Sequence, residues 1–267
     1  MGNKTENKLL IKKILWKSLR EAGNLIEKNL GKTSYRYKGR ANLLTQIDEQ
    51  AQSIALKNIT HFFPEHNYMA EEQAIKNNGS EYTWVIDPLD GTTNYAHGCP
   101  MACISIGVCQ EAQVIMGGIY DPFRKELFWA EKGKGAFLNG VRYRTSKVST
   151  VEEALLLTGF PYDRAEKSRY YINFYRVFME KCHDVRRSGS ASLDLAWVSC
   201  GRGDGFWEFK LNAWDVAAGK LLVEEAGGKV TDFQGKPWER IEKFGAQTLA
   251  TNGKIHSEML KLLQNLF

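Results

Sequence analysis

The apolar positions along the chain repeat first with the period of a helix, then with that of a strand, and finally in short alternating blocks. Leu10, Ile14, Ala22 and Ile26 fall on one side of a helix expected over about 6–30, ending near Gly31. After the basic segment Tyr35-Arg36-Tyr37-Lys38-Gly39-Arg40, residues Ile47, Ala51, Ile54, Ile59 and Phe62 define a second helix over about 46–63, with Pro64 just beyond it. Thr45 stands where that helix needs a cap, and Asp48 three positions on completes the spacing of a capping box.

The period changes at Tyr82-Thr83-Trp84-Val85-Ile86, a strand expected to stop at Asp87-Pro88 because proline has no N–H to give a central ladder. Further strands fit about 102–108, 114–120 and 126–130, joined by short turns as in an antiparallel sheet, and Asn139-Gly140 marks another hairpin. Beyond about residue 150 the order becomes strand (155–158), helices (165–182 and 190–200), strand (205–209), helix (214–226), strands (230–231 and 248–250) and a last helix (256–266). Helix and sheet layers in alternation would bury all these faces. The chain thus divides into an α+β half, 1–148, and an α/β half, 149–267. No low-complexity linker separates them, so the halves are expected to share an interface.

Composition narrows the class. At 267 residues, 43% hydrophobic and 25% charged, the chain is an ordinary globular protein with room for a substantial core. Its N-terminal segment mixes polar with apolar residues throughout, so it offers neither a signal peptide nor a membrane span, and Glu6 stands where myristoylation wants Ser or Thr. Five cysteines without a CxxC pair read as reduced thiols of a cytoplasmic protein. A net charge of +5 favours an anionic partner, but the cations are dispersed and no zinc-finger or RNP-like spacing singles out nucleic acid. Gly133-Lys134-Gly135 lacks the frame of a phosphate loop and reads as a hairpin turn.

The chemistry concentrates in Asp87-Pro88-Leu89-Asp90-Gly91-Thr92-Thr93-Asn94. Two carboxylates three positions apart leave an apolar strand, and Gly91 permits a tight turn that can expose the N–H groups of Gly91 and Thr92 to an anion. Glu71-Glu72 upstream and Trp214-Asp215 at the start of a late helix are the natural additional acids. Each acid also has a purely structural explanation: a solvated loop charge for Glu71, a first-turn acid for Asp215, an Asx turn for the Asp87/Asp90 pair. Two carboxylates about 4 Å apart repel by roughly 4 kcal/mol at an effective dielectric of 20. Several together therefore call for a divalent cation, and hard oxygen ligands suit Mg²⁺.

Glu71-Glu72, Asp87-Pro88-Leu89-Asp90-Gly91-Thr92-Thr93-Asn94 and Trp214-Asp215-Val216-Ala217-Ala218-Gly219 resemble, in order and spacing, the inositol monophosphatase family. Gly159-Phe160-Pro161-Tyr162-Asp163, Arg187-Ser188-Gly189-Ser190-Ala191 and Glu224-Glu225-Ala226-Gly227-Gly228 extend the likeness over nearly the whole chain. The resemblance implies an αβαβα sandwich of the sugar-phosphatase type, a homodimer, and lithium-sensitive hydrolysis of a small phosphorylated polyol or sugar with two to three Mg²⁺ ions. It assigns Glu71, Asp87 and the Leu89 carbonyl to a first ion and Asp87, Asp90 and Asp215 to a second. Glu71 would help place a third through water. It gives Thr92 and Asp48 to water activation, and Asp90, Gly91, Thr92, Gly189, Ala191, Glu208 and Lys38 to substrate. Glu208 also reads as a strand-end charge and Lys38 as a surface cation. Two positions depart from the family pattern: Asn42 stands where many relatives have Asp, and Ala70 where they have Gly before the paired glutamates.

Overall fold

A computed structural model describes residues 2–37, 43–111 and 113–267. Helix α1 (Gly2–Asn29) is followed by a short antiparallel ribbon, β1 (Tyr35–Tyr37) with β2 (Leu43–Thr45), and then by α2 (Gln46–Phe62). Eight strands then form one sheet: β3 (Asn67–Ala70), β4 (Gln73–Lys76), β5 (Tyr82–Asp90), β6 (Cys103–Gln110), β7 (Gln113–Asp121), β8 (Glu126–Glu131), β9 (Gly135–Leu138) and β10 (Val141–Tyr143), in the order β10-β9-β8-β7-β6-β5-β3-β4. Only the β3–β5 pair is parallel. A second sheet of five strands, β12-β11-β13-β15-β14, joins β11 (Leu155–Thr158), β12 (Asp184–Arg186), β13 (Gly205–Phe209), β14 (Lys229–Thr231) and β15 (Gln247–Thr251). Helix α3 (Thr92–Ala96) follows β5 directly, and α4 (Ser168–Met179), α5 (Ala191–Ser199), α6 (Ala213–Glu225) and α7 (His256–Gln264) complete the chain.

Alternation along β5 sorts the layers. Trp84 and Ile86 bury toward Ile11, Leu15 and Leu19 of α1 and Ala51 and Ala55 of α2; Val85, between them, joins a core formed with α5 and α6. Sheet strands covered on both faces become near-continuous apolar runs, which Cys103-Ile104-Ser105-Ile106-Gly107-Val108-Cys109 is. Helices α5 and α6 are in turn covered by the second sheet, whose outer face meets Tyr171, Phe174 and Phe178 of α4 and Met259 and Leu263 of α7. The expected αβαβα sandwich is therefore the observed one. The middle core draws Val85, Ile119 and Phe128 from one side of residue 148 and Leu195, Phe206 and Val216 from the other.

The seating of α6 is close. A Cβ on Gly107 of β6 would fall 3.0 Å from Ala217 Cβ, and one on Gly117 of β7 would fall 2.9 Å from Ala218 Cα. Small residues on both partners let this helix, buried nearly all round, lie against the sheet backbone.

Several sequence-based expectations change. Strand β5 does not stop at Pro88: it runs to Asp90 through a shift of register between Asp87 and Asp90, and pairing resumes at Asp90 with Cys103. A bulge is where a strand tolerates proline, since the missing N–H is not asked to pair there. Phe62 lies 43% exposed while Phe63, the C-cap, takes the core position. Helix α4 starts only at Ser168, after a 3₁₀ turn over Tyr162–Ala165. The hairpin at Asn139-Gly140 forms between β9 and β10. The Gly133-Lys134-Gly135 turn gives its N–H groups to the Glu225 carboxylate, at 2.7 Å from Gly133 and 2.8 Å from Gly135, as a hairpin rather than a phosphate loop.

Candidate active site

One cavity of about 370 Å³ opens where β5, α5 and α6 meet, and Glu71, Asp87, Leu89, Asp90, Gly91, Thr92, Gly189, Ala191, Glu208 and Asp215 all line it. The bulge in β5 turns Asp87 and Asp90 toward the same side, and Gly91 then adopts a left-handed conformation (φ 91°) that starts α3 at Thr92. A side chain is excluded at Gly91, where a Cβ would fall 2.6 Å from the Met101 carbonyl oxygen. Glu71 is set beside them because its N–H donates to the Ile86 carbonyl (3.3 Å), extending the β3–β5 pairing by one residue. Asp215 arrives on the first turn of α6.

Each of the three aspartates has one oxygen anchored. The Leu89 N–H donates to Asp87 Oδ1 at 3.1 Å, and the Asn212 N–H donates to Asp215 Oδ2 at 2.6 Å. Asp90 Oδ2 accepts from the Ser190 hydroxyl (2.8 Å) and the Ser192 N–H (2.5 Å) at the start of α5. These bonds do not cancel the charge. Burial first, and then the charges of Glu71, Asp90 and Asp215, hold the Asp87 carboxyl well above the usual carboxylate range. Burial, Asp90 and Glu71 push Asp215 up to about 8 against the pull of the Asn212 N–H, with Asp87 close enough to share its proton. Asp90 is raised by burial and partly drawn back by the donors of Ser192 and Ser190.

Asp48 occupies the N3 position of α2, as its spacing from Thr45 predicts. Asp48 Oδ2 accepts from the Thr45 N–H (2.9 Å) and hydroxyl (2.6 Å), while its Oδ1 accepts from the Thr92 hydroxyl at 3.0 Å. Thr92 Oγ1 also lies 2.9 Å from the Leu89 carbonyl oxygen. The cap and the link to the cavity are thus one arrangement. Burial raises the Asp48 carboxyl, opposed by the hydrogen bonds from Thr45 and Thr92.

At the other end Glu208 of β13 is buried and held well above the usual carboxylate range, by burial and then by Asp194, with Arg187 opposing. Gly159 lies against it, where a Cβ would come 2.2 Å from either carboxylate oxygen. Gly189 (φ 90°) and Ala191 form the adjoining wall. Lys38 lies outside the described residues, as does Asn42.

Sequence reasoning left out several lining residues. Asp194 is buried on the first turn of α5, and its Oδ1 has no hydrogen-bond partner among the described residues. Arg187 and Tyr162 also line the cavity. Both stand in segments recognised as family-like, but nothing in their local sequence gave them a role. Ser190 and Ser192 were equally silent, since serine at a helix start signals only a cap.

Buried Asp87 and half-buried Glu71, Asp90 and Asp215 converge as carboxylates whose charges raise the proton affinity of Asp87 and Asp215, a site that calls for positive charge, and their hard oxygens fit Mg²⁺. Among the described residues no group of three or more His, Cys, Asp or Glu side chains stands close enough together to hold a metal ion as it is. Mutual repulsion opposes that approach until a cation compensates it.

The fold and the site together define a magnesium-dependent phosphatase of the layered sugar-phosphatase class. The chain matches the inositol monophosphatase family over residues 10–266 and belongs to it; it is an enzyme, a hydrolase. It is 42% identical to the Nus factor SuhB of Escherichia coli over 223 residues, covering 82% of this chain and 84% of that one. It is 43% identical to the inositol-1-monophosphatase of Synechocystis over 231 residues, covering 85% and 78%. The crystal structure of the extragenic suppressor protein SuhB from Bartonella henselae superposes with a TM-score of 0.89 at 34% identity, covering 95% of this chain and 98% of that one.

Proposed function

We propose that the chain hydrolyses the phosphate monoester of a small polyol, myo-inositol 1-phosphate first, to the free polyol and phosphate. The observation that carries this reading is the pairing, in one cavity, of a wall of four carboxylates with a wall of Glu208, Gly189 and Ala191. In this reading Glu71, Asp87 and the Leu89 carbonyl hold one Mg²⁺, Asp87, Asp90 and Asp215 hold a second, and Glu71 helps hold a third through water. Bound Mg²⁺ would cancel the repulsion among these groups, polarise the phosphoryl oxygens and acidify water.

The chain's own residues do the rest. Thr92 Oγ1 takes a proton from the attacking water as it passes its own to Asp48 Oδ1, whose burial favours the protonated form. Glu71 orients the same water in line with the ester bond. The N–H groups of Gly91 and Thr92 face the charge that grows on the phosphoryl oxygens, and the family resemblance gives Lys38 to the substrate as well. Glu208 accepts hydrogen bonds from the polyol hydroxyls, while Gly189 and Ala191 leave room for the ring. Lithium sensitivity and a cytoplasmic homodimer belong to the same reading.

Fructose 1,6-bisphosphate and the 2′-phosphate of NADP are the alternative substrates. A regulatory, protein-binding role on the same fold is the second reading, favoured by relatives named Nus factor SuhB. A panel of these phosphate esters, assayed with Mg²⁺ and with or without Li⁺ against Asp215→Asn as control, tests the proposal. The highest kcat/KM is expected for inositol 1-phosphate, abolished in the variant. Mg²⁺-independent turnover, or none with any ester, rejects the reading.

A further inference from the structure

The cavity's lip from Gly159 to Arg164 has no part in the scheme above, yet it is fixed at both ends. Gly159 abuts the Glu208 carboxylate. Asp163 sits at a three-way junction: its Oδ1 accepts from the Tyr171 hydroxyl on α4 (2.8 Å), and its Oδ2 accepts from Lys210 Nζ beyond β13 (2.6 Å) and lies 3.5 Å from Lys167 Nζ. The 3₁₀ turn between these anchors carries Tyr162.

Tyr162 is 55% exposed yet lines the cavity with Glu71, Asp87, Asp90 and Asp215, and its phenol is raised by burial first and then by these carboxylates, Glu71 foremost among them. Part of the side chain therefore meets solvent while part faces the cavity that holds the acids. Donors are scarce beside those acids. Beside the N–H groups of Gly91 and Thr92, the carboxylates, ionised once a cation is bound, only accept, and the Thr92 hydroxyl is already directed at Asp48 and the Leu89 carbonyl. A phosphoryl group arriving there brings several acceptor oxygens.

We propose that Tyr162 is a phosphate-contacting residue, its hydroxyl donating to a non-bridging phosphoryl oxygen on the Glu71 side while its ring shields the ester from bulk water. The proposal rests on the site being a phosphatase centre. The Asp163 junction is what holds the phenol in place, so Asp163 is a positioning residue.

Tyr162→Phe keeps the ring and removes only the donor. A lost hydrogen bond to a charged oxygen corresponds to about a tenfold to hundredfold effect. The expected results are a fall of that size in kcat/KM, equal for inositol 1-phosphate, fructose 1,6-bisphosphate and glycerol 2-phosphate. Affinity for inorganic phosphate in saturating Mg²⁺, measured by calorimetry, should weaken by at least about fivefold, with Mg²⁺ affinity unchanged. Tyr170→Phe, on the same loop-and-helix unit but outside the cavity, should match the parent in every assay. Unchanged phosphate affinity, or a loss confined to one ester, overturns the proposal by placing the hydroxyl at the leaving group or nowhere in the site. Weakened Mg²⁺ binding overturns it too, by assigning the hydroxyl to the cation shell. If the parent hydrolyses no ester, the substrate reading fails separately and the phosphate titration still decides the role of Tyr162.

Discussion

At the acid end of the cavity most carboxylates are tied down by donors close to them in sequence: Asp87 by Leu89, Asp215 by Asn212 and Asp48 by Thr45. At the Glu208 end the carboxylate is flanked instead by what packs on it, Gly159 from β11's end, and by the charges of Asp194 and Arg187 from α5 and the segment before it. Local anchoring makes the first end rigid and costly to alter, since the donor and the carboxylate move together. Long-range packing leaves the second end adjustable. The chemistry is therefore expected to be robust and the preference for a leaving group easy to shift.

The strongest test of that contrast removes a charge at the acid end. Asp87→Asn and Asp215→Asn should each lower kcat at least about a hundredfold on every ester, because metal placement is lost. Equal Mg²⁺-dependent turnover in Asp215→Asn and the parent would remove Asp215 from the proposed ligand set.

Metal removal gives the next largest effect. Without Mg²⁺ the folded protein holds a proton on Asp215 up to about pH 8, which the unfolded chain releases near its ordinary 3.8. A carboxyl raised in this way makes folding less favourable as pH rises between those values. Melting temperature in EDTA should thus fall from about pH 5 to about pH 8. Mg²⁺ at about a hundred times its dissociation constant should restore roughly 2.7 kcal/mol at the upper pH. Identical melting curves at both pH values in EDTA would show that the acid cluster is not strained.

At the Glu208 end, Gly159→Ala must push the carboxylate aside and should cost about 1–3 kcal/mol by overpacking, read from urea unfolding, with KM for the ester raised more than kcat is lowered. The smallest effect belongs to Glu208→Gln, which should change relative kcat/KM among polyol esters about fivefold while sparing Mg²⁺ affinity, since one altered hydroxyl contact is worth roughly 1 kcal/mol. A uniform loss across all esters would mean that Glu208 serves the phosphate rather than the leaving group.

The same division governs what the sequence could tell. Asp48 was legible because Thr45 sits three residues away in a capping pattern, and Asp87, Asp90 and Gly91 because a strand, two acids and a turn residue adjoin one another. Alternating layers of helix and sheet were legible from the change of period at Tyr82 and the alternation after residue 150, while the αβαβα order came from the family resemblance. The bulge at Pro88 was not, because proline's local rule argues for an end, and only the neighbouring β6 reveals that pairing resumes at Asp90. β3, β4 and β12 are only 4, 4 and 3 residues long, too short for a period to register. Tyr162 and Asp194 gave no signal because the cavity they face is assembled from segments far apart in the chain.

The two glycines beneath α6 reach further than their size suggests. With nothing but hydrogen at 107 and 117, the helix sinks onto the strand backbones, and its depth decides how near Asp215 stands to Asp87 and Asp90. A methyl group added at either position would lift the helix like a shim under a hinge, withdrawing one acid from the others without touching a reactive atom. Inherited variation there is expected to alter cation affinity from a distance, so a survey of this site confined to residues lining the cavity would overlook two of its determinants.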